Sequence, residues 1–168
     1  MLHIVLFQPE IAENTGNIAR TCVGFNAHLH LIRPYGFFFN PNDARLKRSG
    51  ANYWEHLTLS EHDNYEEFLK TLKEGTRIYY LTRYGTNAPD EMKLVEQAEE
   101  DIYLMFGKES TGIDKDILRN NLEKTVRIPT SANVRSLNLA NCVSMLCYEY
   151  ARQNKYKNLE TSEPHKKL

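Results

Sequence analysis

The chain has 168 residues, of which 26% are charged and 41% hydrophobic, with a formal net charge of −1. This length favours one domain with little room for a second recognition module. No apolar run approaches the ~20 residues that span a bilayer, and the first residues lack the features of a signal peptide, so we expect a cytoplasmic protein. The near-neutral charge excludes a surface coated in basic residues but allows a local basic patch that binds nucleic acid.

Apolar runs of strand length alternate with helical patterns along the chain. Strands are predicted at His3–Phe7, Leu29–Ile32, Tyr53–Leu59, Arg77–Thr82, Ile102–Phe106 and Thr125–Ile128. Helices are predicted at Asn17–Phe25, Pro41–Arg48, His62–Leu72, Glu91–Glu100, Asp114–Asn121 and Leu137–Gln153. Several strands are apolar at every position, which predicts an α/β fold with a mostly parallel sheet and helices on both faces. We expect a single domain over residues 1–154 and a charged, flexible tail over residues 155–168.

Neither the cysteines nor the histidines form a recognisable metal-binding pattern. Cys22, Cys142 and Cys147 have no C-x-x-C spacing and fall on apolar helix faces, which predicts reduced cysteines in the core. His28 and His30 share one short strand, with no cysteine or acid at ligand spacing. No metal site is therefore expected.

Three loops follow predicted strands, at Arg83–Asp90, Gly107–Gly112 and Pro129–Ser136. Ligands of open α/β sheets bind beyond the carboxyl ends of strands, so these loops surround one small molecule if their strands are neighbours. The two glycines of the second loop permit close backbone approach, and Glu109 lies near its rim, although a plain β-to-α turn explains them equally well. Neither G-x-G-x-x-G nor the Walker pattern is present, which argues against a dinucleotide cofactor.

The third of these loops opens the longest predicted helix. Pro129 marks the end of the preceding strand, and Ser136 or Asn138 stands where an N-cap is wanted. Backbone N–H groups that are left unpaired at a helix start bind carboxylates, phosphates or ribose hydroxyls. The strand, polar loop and helix start together predict a pocket.

A second unusual stretch, N-x-G-N-I-A-R, runs from Asn14 to Arg20. Asn14 or Thr15 can cap a helix there, and Asn17 and Arg20 lie three residues apart on one helix face. An arginine so near a helix start gains nothing from the macrodipole, which indicates an anionic partner. A solvated arginine is the alternative.

A third feature is a basic, aromatic run over residues 33–48. It contains Arg33, Tyr35, Phe37, Phe38, Phe39, Arg45, Lys47 and Arg48. Aromatic faces stack on bases and basic side chains contact phosphates, as single-stranded RNA recognition requires. The alternative is that the phenylalanines are partly core and that the charges form a solvated helix face.

Three motifs together resemble those of the SPOUT RNA 2'-O-ribose methyltransferases. They are N-x-G-N-I-A-R at 14–20, Y-L-M-F-G-K-E-S-T-G-I at 103–113 and V-R-I-P-T-S-A-N-V-R-S-L-N-L-A-N at 126–141. Their order and separations are similar to those of the family over essentially the whole chain. The short length is most similar to the minimal members, which methylate the ribose of the wobble nucleotide of tRNA, C or U at position 34.

The resemblance implies a SPOUT fold with a C-terminal deep trefoil knot, which the rule against threaded chains would not have suggested. It implies S-adenosyl-L-methionine as cofactor, S-adenosyl-L-homocysteine as product, tRNA as substrate and a homodimer with active sites at the subunit interface. Ribosomal RNA or another tRNA position is an alternative substrate, and a non-catalytic RNA-binding module is an alternative role. The tRNA isoacceptors and the choice between C and U stay open.

The resemblance also assigns residues by position. Cofactor contacts fall on Leu81, Thr82, Gly107, Ile128, Ser136 and Leu137. Catalytic positions are Arg20, Ser136 and Asn138. RNA-binding positions are Asn14, Arg20 and Glu109. The predicted RNA-binding set also includes the basic residues Arg33, Arg45, Lys47 and Arg48. Because a guanidinium stays protonated, we expect Arg20 to clamp the neighbouring phosphate and developing alkoxide, while Ser136 or a phosphate oxygen relays the proton.

Overall fold

A computed structural model describes residues 1–40, 51–95 and 100–163. The strands are β1 (Leu2–Phe7), β2 (His28–Ile32), β3 (Leu59–His62), β4 (Arg77–Leu81), β5 (Ile102–Phe106) and β6 (Thr125–Val126). They form one sheet in the order β3-β2-β1-β5-β4-β6, and every pairing is parallel. The predicted parallel α/β sheet is therefore confirmed.

Helices cover both faces of the sheet. They are α1 (Ala12–Gly24), α2 (Tyr65–Lys70), α3 (Lys115–Arg119) and α4 (Leu139–Gln153), with 3₁₀ turns at Ala51–His56 and Leu122–Lys124. One core joins α1 and α4 to the face that carries Ile4 and Leu104, and a second core joins α2 and α3 to the face that carries Val5 and Met105. No helix in the described residues combines the length and apolar character needed to cross a bilayer.

One predicted element is wrong, one is wrong over its described part and one lies outside the described residues. The predicted strand Tyr53–Leu59 is instead a 3₁₀ turn followed by β3, because Trp54 and Leu57 pack against the core beside α1 rather than alternating between sheet faces. Residues 91–95 of the predicted helix Glu91–Glu100 are not helical. The predicted helix Pro41–Arg48 lies outside the described residues.

Helix α1 begins five residues earlier than predicted. Its N-cap is Ile11, which makes no side-chain cap hydrogen bond, so the capping role predicted for Asn14 or Thr15 is wrong. Both residues lie buried inside the first turns of the helix, because the side chain of Asn14 contacts residues from distant parts of the chain.

One face of the sheet contains a buried layer of histidines across β1, β2 and β3. His3 lies beside His28 of β2 and beside Tyr103 of β5 in the strand register. His3 Nδ1 lies 2.9 Å from His30 Nε2, and His30 Nδ1 lies 3.0 Å from His62 Nε2. Imidazole rings thus pair across three adjacent strands on the face that α2 covers.

Because of this layer, we expect the stability of the fold to decrease at acid pH. Burial lowers the pKa of His3 to about 4, although Asp101 opposes the shift, and it lowers the pKa of His30 to about 2. The unfolded chain takes up protons below pH 6.5 that the folded chain refuses, so stability is complete above pH 6.5 and is lost as the pH falls. At pH 5, we expect each of these two histidines to lower the free energy of unfolding by about 2 kcal/mol relative to its value above pH 6.5. Urea unfolding at pH 7 and pH 5 tests this, and a smaller loss is expected for His3→Gln.

Candidate functional site

A cavity of about 350 Å³ lies across the carboxyl ends of three adjacent strands. Leu81, Phe106 and Val126, the last residues of β4, β5 and β6, all line it. The loops that follow these strands form its walls, together with the start of α4. The predicted convergence of three loops is confirmed, because the strand order places β5, β4 and β6 side by side.

Backbone hydrogen bonds hold the loop after β4 against β6 and the residue that follows it. Thr82 N donates to the Val126 carbonyl at 2.9 Å, and Arg127 N donates to the Asn87 carbonyl at 2.9 Å. A side chain at Gly85 would place its Cβ 2.4 Å from the Val126 carbonyl carbon, so only glycine permits this approach. Sequence reasoning missed Gly85, although a glycine four residues after a buried strand was the available signal.

The loop after β5 closes as a tight hairpin. Lys108 and Gly112 exchange two backbone hydrogen bonds, at 3.2 and 2.9 Å, and Gly112 has a positive φ of 78°. A Cβ on Gly107 would lie 2.1 Å from the Gly112 carbonyl carbon and from Ile113 N. The two glycines are therefore required by the backbone, which then offers peptide groups rather than side chains to the cavity.

A chain of hydrogen bonds joins the three motifs. Asn138 Oδ1 accepts from the backbone N–H groups of Ala140 and Asn141, which confirms Asn138 as the N-cap of α4. Because this oxygen faces the first turn of α4, Asn138 Nδ2 points away from that turn, and it donates to Asn14 Oδ1 at 3.0 Å. Asn14 Nδ2 in turn donates to Glu109 Oε1 at 3.0 Å.

The far end of this chain is anchored by backbone. Glu109 Oε2 accepts from the backbone N–H of Glu10 at 2.8 Å. The Glu10 carboxylate accepts from the backbone N–H and the hydroxyl of Ser110, at 2.9 and 2.8 Å. Each acceptor and donor in the series determines the next, so the orientation of both asparagine amides is fixed. The network holds α1, the β5 loop and α4 in one arrangement around the cavity.

Replacing Asn138 by alanine is expected to lower the free energy of unfolding by about 1–3 kcal/mol. The variant loses a helix N-cap and leaves the buried Asn14 Oδ1 without its donor. Urea unfolding measures the change. Asn141→Ala, at the third helical residue of α4, is the matched control, and it is expected to stay within about 0.5 kcal/mol of the parent. Equal losses in the two variants would contradict the network.

The mouth of the cavity is basic. Its basic lining residues are Arg83, Lys108, Lys115, Arg127 and Arg135, and Glu109 is the one acid among the described lining residues. The pKa of the exposed Tyr84 is lowered, first by its hydrogen bond with Arg83 and then by the charges of Arg83, Lys115 and Arg135. Sequence reasoning gave Arg83 and Lys108 no role and missed the other three, since the five residues are scattered over three loops and the start of α3.

Arg20 lies outside the residues that line this cavity. Helical geometry places it about 9 Å further along α1 than Asn14 and about 120° around the axis. Its guanidinium is exposed and lies over the Tyr53 ring, 5.1 Å from the centroid. Arg20 and Asn14 therefore lie on different faces of the same helix. The contact of Arg20 with Tyr53 was missed by sequence reasoning.

The basic aromatic run is only partly described. Arg33 pairs with Glu61 at 2.8 Å and Asp63 at 3.0 Å, so phosphate contact would require it to exchange these partners. The rings of Tyr35, Phe37 and Phe39 pack on one another, whereas Phe38 is 78% exposed. Arg45, Lys47 and Arg48 lie outside the described residues, so their contribution to RNA binding stays a prediction.

The structure thus divides the predicted site residues into two groups. Those that line the cavity are Asn14, Leu81, Thr82, Gly107, Glu109, Ile128, Ser136, Leu137 and Asn138. Those described elsewhere are Arg20 and Arg33. All three cysteines are free, with Cys22 and Cys147 buried and Cys142 on the cavity wall.

A cavity across the carboxyl edge of a parallel sheet, with a basic mouth, is typical of α/β proteins that bind a small ligand. The sequence model of the SpoU rRNA Methylase family matches residues 1–148. The chain is 45% identical over 160 residues to a protein of Mycoplasma genitalium assigned as tRNA (cytidine(34)-2'-O)-methyltransferase, covering 95% of both chains. It is 43% identical to the protein of the same assignment in Bacillus subtilis, over 95% of this chain and 97% of that one. The chain belongs to the SpoU rRNA Methylase family.

Solved structures agree with this membership. An RNA methyltransferase crystal structure from Bacillus anthracis is 41% identical, with a TM-score of 0.88 over 97% of this chain and all of that one. A structure reported for the 2'-OH methylation of C/U34 on tRNA is 41% identical, with a TM-score of 0.84 over 94% of this chain and 98% of that one. AviRb of Streptomyces viridochromogenes, solved with AdoMet, is 21% identical over 92% of this chain and 58% of that one, and shares the fold at a TM-score of 0.78.

Proposed function

We propose that this protein transfers a methyl group from S-adenosyl-L-methionine to the ribose 2'-hydroxyl of the wobble nucleotide of tRNA, C or U at position 34. The observation that carries the proposal is the meeting of all three motif-bearing segments on one cavity. Relatives that are 42–45% identical over at least 92% of this chain are assigned to cytidine-34 2'-O-methylation, which supports the same substrate here. A family enzyme of this kind is expected in the cytoplasm.

The cavity suits the proposed cofactor. Its volume of about 350 Å³ lies within the range of small-molecule sites. Leu81, Ile128 and Leu137 offer apolar walls, while the backbone beside Gly107 and the residues Thr82 and Ser136 offer polar groups. These six residues would hold S-adenosyl-L-methionine, whose sulfonium supplies an activated methyl group when bound.

The residues around the cavity position the acceptor nucleotide. Methyl transfer to a hydroxyl is an in-line displacement, so alignment of the reacting atoms supplies much of the rate. The Asn138–Asn14–Glu109 network holds the two walls of the cavity at a fixed separation, and Ser136 lies beside it with a hydroxyl that can relay the proton lost by the ribose to a phosphate oxygen of the RNA. The basic mouth draws in the RNA backbone.

We infer that two subunits build each active site. Arg20 lies outside its own subunit's cavity, about 120° around α1 from Asn14, so in this proposal it clamps a phosphate at a second surface. Met145 and Tyr148 on α4 are 47% and 55% exposed, and they give the longest helix an apolar strip that a second copy can cover. The trefoil knot implied by the resemblance stays a prediction.

Transfer of label from S-adenosyl-L-methionine to bulk tRNA and to ribosomal RNA, followed by nuclease mapping, tests this function. Label on the ribose at position 34 is the expected result. Label in ribosomal RNA or at another tRNA position would keep the chemistry and overturn the substrate. Cofactor binding without label in any RNA would favour a non-catalytic RNA-binding role.

RNA binding is expected to depend steeply on salt despite the near-neutral net charge. Three phosphate contacts at the basic mouth would lower the affinity roughly 20-fold between 50 and 200 mM salt. Fluorescence anisotropy with a labelled anticodon stem-loop measures this slope. Arg135→Gln is expected to make it shallower, whereas Arg119→Gln, which removes an exposed arginine paired with Asp116, is expected to leave it unchanged. A slope near zero would contradict phosphate-led binding.

A further inference from the structure

The histidine layer across β1, β2 and β3 has the composition of a metal site. His3, His28 and His30 each offer a ring nitrogen, and these nitrogens lie within 4.8 Å of one another. His3 and His30 are only 7% and 5% exposed, whereas His28 begins β2 and is half-buried. None of these three histidines lines the cavity, which lies at the carboxyl ends of β4, β5 and β6, so the methyl transfer proposed above does not use them.

The ring nitrogens divide into an inner and an outer set. His3 Nδ1 and His30 Nε2 face each other at 2.9 Å. Each outer nitrogen meets a different partner: His3 Nε2 lies 3.4 Å from Asp101 Oδ1, and His30 Nδ1 lies 3.0 Å from His62 Nε2. Metal-binding histidines typically present one nitrogen to the ion and the other to a carboxylate or a second polar group.

His28 completes the set. Its Nε2 lies 2.9 Å from Ser60 Oγ, which leaves Nδ1 as the nitrogen available to an ion. Its ring stacks on His30 at 4.1 Å, so coordination requires the His28 ring to tilt away, and its partial exposure leaves room for that rotation and for entry of the ion.

We propose that His3, His28 and His30 form a binding site for a divalent transition metal of the zinc class. In the metal-free protein a single proton is shared between His3 Nδ1 and His30 Nε2, and the ion would replace it. Tetrahedral zinc–imidazole bonds of about 2.05 Å separate ligand nitrogens by about 3.3 Å, so the pair must open by only about 0.4 Å. His3 Nε2, which is buried and makes no hydrogen bond in the described residues, would then carry its proton towards Asp101.

This proposal revises the expectation from sequence that no metal site exists. That expectation considered His28 and His30 alone, because they share one strand. His3 belongs to a strand 25 residues earlier and joins them only through the β1–β2 pairing, in which it lies opposite His28. Imidazole nitrogen is a ligand that zinc, copper, nickel and cobalt all accept, whereas magnesium and calcium prefer oxygen.

Titration of the full-length, tag-free protein with Co²⁺ and Zn²⁺ tests the site. The expected result is one equivalent of bound Co²⁺ with the intense visible absorption of a tetrahedral ion, displaced by Zn²⁺. Saturating Zn²⁺, at about 100 times its dissociation constant, should raise the melting temperature by roughly 5–10 °C. Absence of stoichiometric binding would overturn the proposal and leave the layer as hydrogen-bonded neutral histidines.

Three variants locate the ion. His28→Gln removes the most exposed ligand. It is expected to weaken metal binding by more than roughly 100-fold, because loss of an outer partner alone costs up to that much. His62→Gln removes an outer partner and is expected to weaken binding 10- to 100-fold. His56→Gln, an exposed histidine outside the layer, is the control and should bind like the parent. Equal affinity in the parent and in both layer variants would place the metal elsewhere and overturn the proposal.

Discussion

Replacing Arg20 by alanine is expected to lower methyl transfer to tRNA by about 10³-fold while leaving cofactor affinity nearly unchanged. A preorganised donor aimed at developing negative charge contributes 10²- to 10³-fold to turnover, and Arg20 also binds the neighbouring phosphate in our proposal. Because Arg20 lies outside the cavity of its own subunit, its removal does not disturb the cofactor pocket. Single-turnover methylation and calorimetric titration with S-adenosyl-L-methionine measure the two quantities separately.

Two controls sharpen this result. Arg119→Ala removes an exposed arginine of α3 that pairs with Asp116, and it should retain full activity. Tyr53→Leu removes the ring beneath the Arg20 guanidinium, so a partial loss of turnover with unchanged cofactor affinity is expected. Loss of cofactor binding in Arg20→Ala would contradict the assigned role.

Replacing Gly107 by alanine is expected to abolish cofactor binding and to destabilise the fold by several kcal/mol. The new Cβ would lie 2.1 Å from backbone atoms of Gly112 and Ile113, which cannot move without opening the hairpin that lines the cavity. Clashes of this kind force backbone shifts that typically cost 1–3 kcal/mol or more. Urea unfolding and cofactor titration measure the two losses.

The matched control is Gly24→Ala, the same chemical change at the end of α1. A Cβ there meets nothing within 4 Å, and Gly24 is exposed. Because alanine favours the helix and restricts the unfolded chain, this variant should be unchanged or up to about 1 kcal/mol more stable. A Gly107→Ala protein with normal stability and cofactor affinity would show that the hairpin is not the cofactor wall.

The two variants together test whether each active site is shared. If Arg20 serves the partner's cavity, mixing Arg20→Ala and Gly107→Ala subunits in equal amounts creates dimers with one intact site, and about a quarter of the parent activity returns. If both residues serve the same subunit, no intact site forms and activity stays absent. The mixing is performed by partial denaturation and refolding, with the parent treated in parallel.

Several features of the protein were determined by local sequence alone. The run Ile102–Phe106 is apolar at every position and forms β5 with the predicted bounds, because a parallel strand buried on both faces leaves no polar position. Asn138 was one of two predicted N-caps, and its short amide side chain satisfies the first free N–H groups of α4. Both signals act over five residues or fewer, so they can be read without knowing what lies nearby in space.

The errors came where tertiary contacts outweighed local preference. Asn14 has the chemistry of a cap, but its amide bridges Asn138 and Glu109, so α1 starts earlier with the poor cap Ile11. Residues 53–59 are rich in strand-forming side chains, yet Trp54 and Leu57 are held as a turn against the core. In both cases a partner far away in the sequence determined the local conformation.

Only the tertiary structure decided which residues meet. The strand order brings together loops from three distant segments, and the Glu109 carboxylate binds the backbone of Glu10, 99 residues away. The same sheet places His3 beside His28 and His30, and the helical phase of α1 turns Arg20 away from the cavity that Asn14 enters. Sequence periodicity specifies which face of an element is buried, but strand order and helix phase follow from packing the whole chain at once.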